Sequence, residues 1–291
     1  MNKIGIDIGG TNIKGIVLDT QHDVVYKTTV PTKDAGNEDW KKIVLQVYEM
    51  LKNKAGANFS LGLSAPGLVN PDNTTILHMP GRLKGLTQLI WGDYLGFPCK
   101  VVNDAHAAIL AEHHLGVGRG YQHLIMLTLG TGVGGGVIIN GELYQGELGR
   151  AGHLGHISVH RKDFLDITGT PGSLEDALGN ANISKRSFGL YHQNEEVYTH
   201  YQKGEPIATY IWLNMIRDLA AALASLVNAF SPEVIILGGG MAAAKEGLTG
   251  PLGAFMNLFE WQPSGHRTPI RLATQGAYAG AMGAAVFGAL K

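Results

Sequence analysis

The chain has 291 residues, 45% of them hydrophobic and 16% charged, with 41 glycines, one cysteine and a formal net charge of −1. That composition describes a folded protein long enough for two ordinary domains, and it excludes a disordered chain, an internal disulfide and a multi-cysteine metal cage. The near-neutral charge offers no basic face for nucleic acid or an anionic membrane, so the expected partner is a small molecule.

The first residues run directly into an apolar strand pattern without the apolar core and cleavage site of an export signal. No apolar run reads as a membrane span, since the longest candidate, 207–230, is interrupted by Asn214, Arg217 and Asp218. A cytoplasmic protein is expected. "KIGIDI" (3–8) predicts a buried strand, followed by the turn Gly9-Gly10-Thr11 and a second strand over 13–18. A third strand near 23–30, an amphipathic helix near 38–54 and the strand in "FSLGLSAPG" come next, then a loop-rich middle over 67–97 with one short helix. "CKVVND" predicts a strand that hands over at Asn103-Asp104 to the helix "AHAAILAEHHLG", stopped by Gly116. His113 and His114 close that helix, where a protonatable group suits the C-terminal dipole.

"MLTLGTGVGGGVII" (126–139) repeats the plan of "GIDIGGTNIKGIVL" (5–18): apolar strand, glycine turn with threonine, apolar strand, with Gly9 matching Gly130 and Gly15 matching Gly136. Two duplicated α/β domains facing each other across a cleft are expected, with boundaries at 1–117 and 118–291 and the last helix packing back on the first domain. A short helix near 173–179 follows the stretch "AGHLGH" (151–156). A polar region then runs to 204, a long helix spans about 205–230, and "PEVIILGGG" predicts a strand. The chain ends in a strand near 268–273 and the small-residue helix "AYAGAMGAAVFGAL".

Three glycine turns follow predicted strands, at Gly9-Gly10, at Gly130-Thr131-Gly132-Val133-Gly134 and at Gly238-Gly239-Gly240. Without a Cβ their N–H groups can approach a phosphate closely, and Thr11 and Thr131 add hydroxyl donors. None matches the spacing of a P-loop or a dinucleotide-binding turn. Asp7 is a carboxylate inside an apolar strand, which reads either as a Mg²⁺ partner acting through water or as a tie for the first turn. Lys14 reads as a phosphate contact or as solvated surface. Asn103 and Asp104 suit a helix N-cap, and equally a carboxylate that takes a proton from a substrate hydroxyl beside a neighbouring amide. Glu175 has the same two readings, since Ser173 looks like an N-cap and an acid is favoured in a first helical turn.

Together "IGIDIGGTNIKG", "SAPGLVN", "VNDAHAAILAE", "LTLGTGVGGGVIINGELYQG", "AGHLGH", "GSLEDALG" and "PEVIILGGGM" resemble the ROK family of sugar kinases and sugar-responsive repressors, within the actin-like ATPase superfamily, in order and spacing over nearly the whole chain. The resemblance implies two RNase H-like domains and ATP-dependent phosphorylation of a hexose hydroxyl, usually the 6-hydroxyl, with glucose the default and N-acetylhexosamines the alternative. Asp104 would be the catalytic base. Gly67, Asn103, Asp104, His153, His156 and Glu175 would contact the sugar. Asp7, Gly9, Gly10, Thr11, Asn12, Lys14, Gly130, Thr131, Gly132 and Gly134 would serve the phosphates and Mg²⁺, with Gly238, Gly239 and Gly240 beside the adenosine. Many members carry a cysteine zinc module in which three cysteines join the histidine matching His156. Here Asp166, Thr168 and Ser173 stand at the cysteine positions, so no zinc is expected. His153 replaces the family's usual glutamate, which bears on the choice of sugar because imidazole both donates and accepts. A homodimer is an expected assembly. The competing class is a non-catalytic sugar-responsive regulator; the repressors carry an N-terminal helix-turn-helix domain, whereas this chain starts at the first phosphate strand.

Overall fold

A computed structural model describes residues 1–79, 81–160 and 165–290. The chain divides into two compact units: 1–120, 143–151 and Thr274 onward form the first, and 121–142 with 152–273 form the second. The C-terminal segment clusters with the first unit, as does 143–151 from within the span 118–291.

The first unit contains β1 (Asn2–Ile8), β2 (Asn12–Leu18), β3 (Val24–Pro31), α1 (Trp40–Ala55), β4 (Phe59–Ala65), the two-residue β5 (Leu68–Val69) paired with β6 (Ile76–His78), α2 (Trp91–Leu95), β7 (Lys100–Asn103) and α3 (Asp104–Leu115). Its main sheet runs β3-β2-β1-β4-β7, with β1, β2 and β3 antiparallel and β4 and β7 parallel to β1. Strand alternation sends Ile4, Ile6 and Ile8 into one core with Val44, Val47 and Leu51 of α1.

The second unit contains β8 (Leu124–Leu129), β9 (Val133–Ile139), β10 (Glu142–Leu143), α4 (Leu174–Leu178), α5 (Ile183–Arg186), α6 (Asn194–Gln202), α7 (Pro206–Phe230), β11 (Val234–Gly238), α8 (Glu246–Phe259) and β12 (Ile270–Leu272). Its sheet, β10-β9-β8-β11-β12, repeats the order of the first: a hairpin pair followed by two parallel strands. The helix α7 is long and apolar enough to cross a membrane by length and composition. It is the core helix of this unit, burying Trp212, Met215, Leu219 and Leu223 against Ile125 and Leu127 of β8.

The chain returns to the first unit in α9 (Ala279–Ala289), which packs on β1, β4 and α3. A Cβ at Gly5 would overlap the Ala281 carbonyl, and one at Gly283 would overlap the Ala107 carbonyl. The small residues of this helix are therefore a packing requirement, since backbone meets backbone on two sides.

Two expectations need correction. The region read as polar to 204 contains α5 and α6, and α6 starts where the Glu196 carboxylate accepts the Gln193 N–H at 3.3 Å. Glutamine is a weak cap signal beside Ser, Thr, Asp or Asn, which hid the helix start. The glycine match also slips by one: Ile8 pairs with Ile13 across the first turn, but Leu129 pairs with Val133 across the second, which is one residue shorter. Gly15 therefore faces Ile6, whereas Gly135 and not Gly136 faces Leu127.

Candidate active site

In the first turn the Gly9 N–H donates to the Asn12 carbonyl at 3.0 Å, and the Thr32 hydroxyl donates to the Gly9 carbonyl at 2.6 Å. Gly10 faces a residue absent from the expected set: a Cβ there would lie 3.3 Å from the Arg82 guanidinium. Thr11 is exposed. Lys14 Nζ donates to the Ala277 carbonyl at 2.7 Å in an exposed bond.

Asp7 keeps a small exposed surface, yet its carboxylate is walled by protein. The Ser64 hydroxyl donates to Oδ1 at 2.9 Å, and a Cβ at Gly280 in α9 would stand 2.6 Å from the carboxylate. Burial, reinforced by the Asp104 charge and opposed by Ser64 and Lys14, pushes the Asp7 carboxyl up to about 6. A carboxylate so desolvated beside a second acid suits a divalent cation, whose charge would hold it ionised.

Asn103 serves as cap and tether together. Its Oδ1 accepts from the N–H groups of Ala105 and His106 at 2.9 and 3.3 Å, while Nδ2 donates to the Gly67 carbonyl at 3.0 Å. Gly67 has φ +106°, and a Cβ there would lie 2.5 Å from the His78 carbonyl, so this loop position requires glycine. Asp104 is the exposed position in an otherwise buried run from Val101 to Leu110, and its Oδ1 accepts from the Ala105 N–H at 2.8 Å.

In the second unit the shorter turn is held by the residues after α4: the Asn180 and Ala181 N–H groups donate to the carbonyls of Gly130 and Thr131, each at 3.0 Å. Glu175 accepts the Val133 N–H at 3.0 Å through Oε2, and a Cβ at Gly132 would overlap that oxygen. Ser173 caps α4, accepting from the Asp176 N–H at 3.1 Å. Gly238 is buried at the end of β11, and Gly239, at φ +86°, leads into the 3-10 turn Gly240–Ala244.

Gly130, Thr131 and Gly240 line one cavity of about 740 Å³ within this unit. Its opposite wall comes from α6, with Asn194, Glu195, Tyr198 and Gln202, residues missed because the helix itself was missed. Asn194 donates through Nδ2 to the Leu178 carbonyl at 2.9 Å, while its buried Oδ1 has no partner. Tyr198 lies 5.0 Å from Trp212, centroid to centroid. An aromatic wall of this kind fits a planar nucleobase.

The "AGHLGH" stretch lies against β9. A Cβ at Gly135 would stand 2.7 Å from the Gly152 carbonyl, and a Cβ at Gly155 would overlap the Val133 carbonyl. The rings of His153 and His156 are near-parallel, 14° apart at 6.5 Å. His156 Nδ1 lies 2.9 Å from Asp166 Oδ2. Among the described residues no group of three or more His, Cys, Asp or Glu side chains is placed to hold a metal ion. Thr168 bonds to Asp166 and Ser173 caps a helix, so Asp166, Thr168 and Ser173 are all engaged in hydrogen bonds.

His114 at the helix end differs from expectation. Burial, then the neighbouring His113 and His22, push His114 down to about 4, so at neutral pH it carries no charge for the dipole to favour. Cys99 is likewise inert, its thiol pushed up by burial to about 12.

The model of the family described as ROK family matches residues 3–289. Glucokinase of Halalkalibacterium halodurans is 28% identical, covering 96% of this chain and 92% of its own. The N-acetylgalactosamine kinase AgaK of Shewanella sp. is 30% identical, covering 98% of this chain and 96% of its own. Among solved structures, the ROK hexokinase of Thermus thermophilus is 33% identical with a TM-score of 0.87, covering 98% of this chain and 97% of its own. The ROK family glucokinase of Streptomyces griseus, in complex with glucose and AMPPNP, is 26% identical with a TM-score of 0.82 and covers 99% of each chain.

Proposed function

We propose, from the premise that this chain belongs to the ROK family, that it is a cytoplasmic ATP-dependent kinase that phosphorylates a hexose hydroxyl, with glucose as the first substrate to test. The observation that carries the reading is the pair of carboxylates in the first unit: Asp7, buried beside the glycine turn with its carboxyl raised by burial and by Asp104, and Asp104, exposed at the start of α3. One would serve a cation and the other would take a proton.

Asp104 acts as general base. The sugar hydroxyl gives its proton to the Asp104 carboxylate as its oxygen bonds to the terminal phosphorus of ATP, and the electron pair of the broken P–O bond leaves with ADP. Asn103 fixes the base: it caps α3 and, through Gly67, ties the sugar loop to the same helix start. Asp7, with the 9–12 turn, would hold Mg²⁺ through water, and that ion would neutralise charge on the moving phosphoryl group. Arg82 adds a cation beside Gly10. Gly130, Gly132 and Gly134 would receive phosphate in the second unit. The cavity walled by Gly240 and α6 would take adenosine. His153, His156 and Glu175 supply fixed polar partners for sugar hydroxyls, the kind of set that discriminates strongly between sugars.

An N-acetylhexosamine kinase is the second reading, favoured by the likeness to AgaK and by His153 in place of the family's usual glutamate. A coupled ADP-release assay with ATP and Mg²⁺ across glucose, mannose, fructose, N-acetylglucosamine and N-acetylmannosamine separates the two. Stimulation by none of these sugars overturns the kinase reading in favour of a regulator. The homodimer finds support in exposed apolar side chains of the second unit, Phe188, Leu190, Ile207 and Tyr210, and light scattering tests it.

A further inference from the structure

Asp166 is a densely bonded carboxylate beside His156. Its Oδ1 accepts from the Thr168 N–H at 2.8 Å, the Thr168 hydroxyl at 2.7 Å and the Thr170 N–H at 2.9 Å, so the 166–170 loop is wound around this one oxygen. The other oxygen, Oδ2, meets His156 Nδ1 at 2.9 Å. The Asp166 side chain is fully shielded from solvent, while 28% of the His156 side chain remains exposed. Burial raises the Asp166 carboxyl, but its bonds to Thr168, His156, Thr170 and Ser173 outweigh that and hold it far below the usual carboxylate range. An ionised carboxylate only accepts hydrogen bonds, so the 2.9 Å contact requires a proton on Nδ1. In the neutral imidazole the other nitrogen, Nε2, is then bare.

We propose that Asp166 is a positioning residue that sets the tautomer of His156, holding the proton on Nδ1 so that Nε2 presents a lone pair and reads a sugar hydroxyl as a hydrogen-bond donor. The inference rests on the reading of His156 as a sugar contact, and it adds a direction to that contact. A hydroxyl that donates to Nε2 keeps its own lone pairs for other donors of the site. A group at that carbon which only accepts, such as fluorine, finds no partner in His156.

The test is Asp166→Asn. The amide oxygen keeps the three bonds from Thr168 and Thr170, while the amide nitrogen faces Nδ1 and donates to it, which drives the ring proton to Nε2 without displacing the loop. Long-range ¹H–¹⁵N correlation spectra of the full chain at pH 8, with the His156 signals assigned by their loss in His156→Gln, should show a proton on Nδ1 in the wild type and on Nε2 in Asp166→Asn. With glucose and N-acetylglucosamine as probes at saturating ATP, Asp166→Asn should raise the sugar KM on the order of tenfold with kcat changed much less, the cost of one mispaired polar contact. A wild-type ring protonated on Nε2 overturns the proposal, and this measurement needs no variant to fold. A tautomer unchanged in Asp166→Asn also overturns it. A flipped tautomer with an unchanged KM overturns its second half. If His156→Gln instead leaves the KM unchanged for both sugars, the sugar-contact reading of His156 fails, and the spectra still decide what Asp166 does.

Discussion

The two glycine turns sit in the same sheet position of two matching units and have been given different surroundings. The first has Asp7 at the end of its leading strand, Ser64 beside it and Arg82 against its second glycine. The second has Thr128 at the equivalent place, a turn one residue shorter, and Glu175 bonded to Val133 N–H. Even the steric role of the following glycine differs: Gly15 makes room for Val47 and Leu51 of α1, whereas Gly135 makes room for the backbone of Gly152 and for Leu154. The two copies share a strand, glycine turn and strand. The carboxylates proposed for charge and proton transfer stand in one copy, and the histidine loop and the cavity proposed for adenosine in the other.

The largest expected effect breaks the chemistry of the first copy alone. Asp104→Asn should retain glucose binding by calorimetry and lose roughly 10²–10⁴-fold in turnover, the range for a general base, and unchanged turnover would refute that role. Asp7→Asn should also cost at least about 100-fold in turnover, since it removes a charge that the moving phosphoryl group requires. Unlike Asp104→Asn, it should stabilise the protein when magnesium and nucleotide are absent. The folded Asp7 carboxyl lies near 6 against an ordinary 3.8, so the folded state holds the extra proton and stability falls as pH rises through that window. Above pH 6 the variant should gain up to about 3 kcal/mol by thermal melts, a gain that vanishes near pH 4. A lower melting temperature at pH 8 contradicts this account.

Next come the glycines that distinguish the copies. Gly155→Ala forces a methyl into the Val133 carbonyl and should cost about 1–3 kcal/mol together with a raised sugar KM. Gly15→Ala presses only on side chains of α1 and should cost about the same stability with the KM unchanged. Equal effects on KM would erase the division of labour drawn above. The last effect concerns stability alone, at His114, whose folded value near 4 lies below the ordinary 6.5. The unfolded chain therefore binds more protons in that window, and stability is lost as pH falls from 6.5 toward 4. His114→Gln should flatten that part of the melting curve.

The sheets were legible because strand periodicity and the glycine turns are local signals, and so was the Asn103 cap, which proved to be a tether as well. What stayed hidden depended on partners distant in sequence. Arg82 meets Gly10 across seventy residues, the Asp7 wall includes Gly280, and Asp166 reveals its role only where a loop wraps it. The helix α6 was missed for a local reason, an uncommon cap, and with it went one wall of the cavity. The register slip between the turns could not be read from aligned glycines because one residue of turn length moves every pairing after it.

The return of α9 to the first unit has a consequence for biosynthesis. Residues 279–289 leave the ribosome after every residue they cover, so the nascent first unit waits with Gly5, Gly62 and the Asp7 carboxylate unprotected while residues 152–273 of the second unit are already available to fold. The segment that packs on β1 and β4 also walls the acid of the proposed active site, so that acid is enclosed only once α9 has docked.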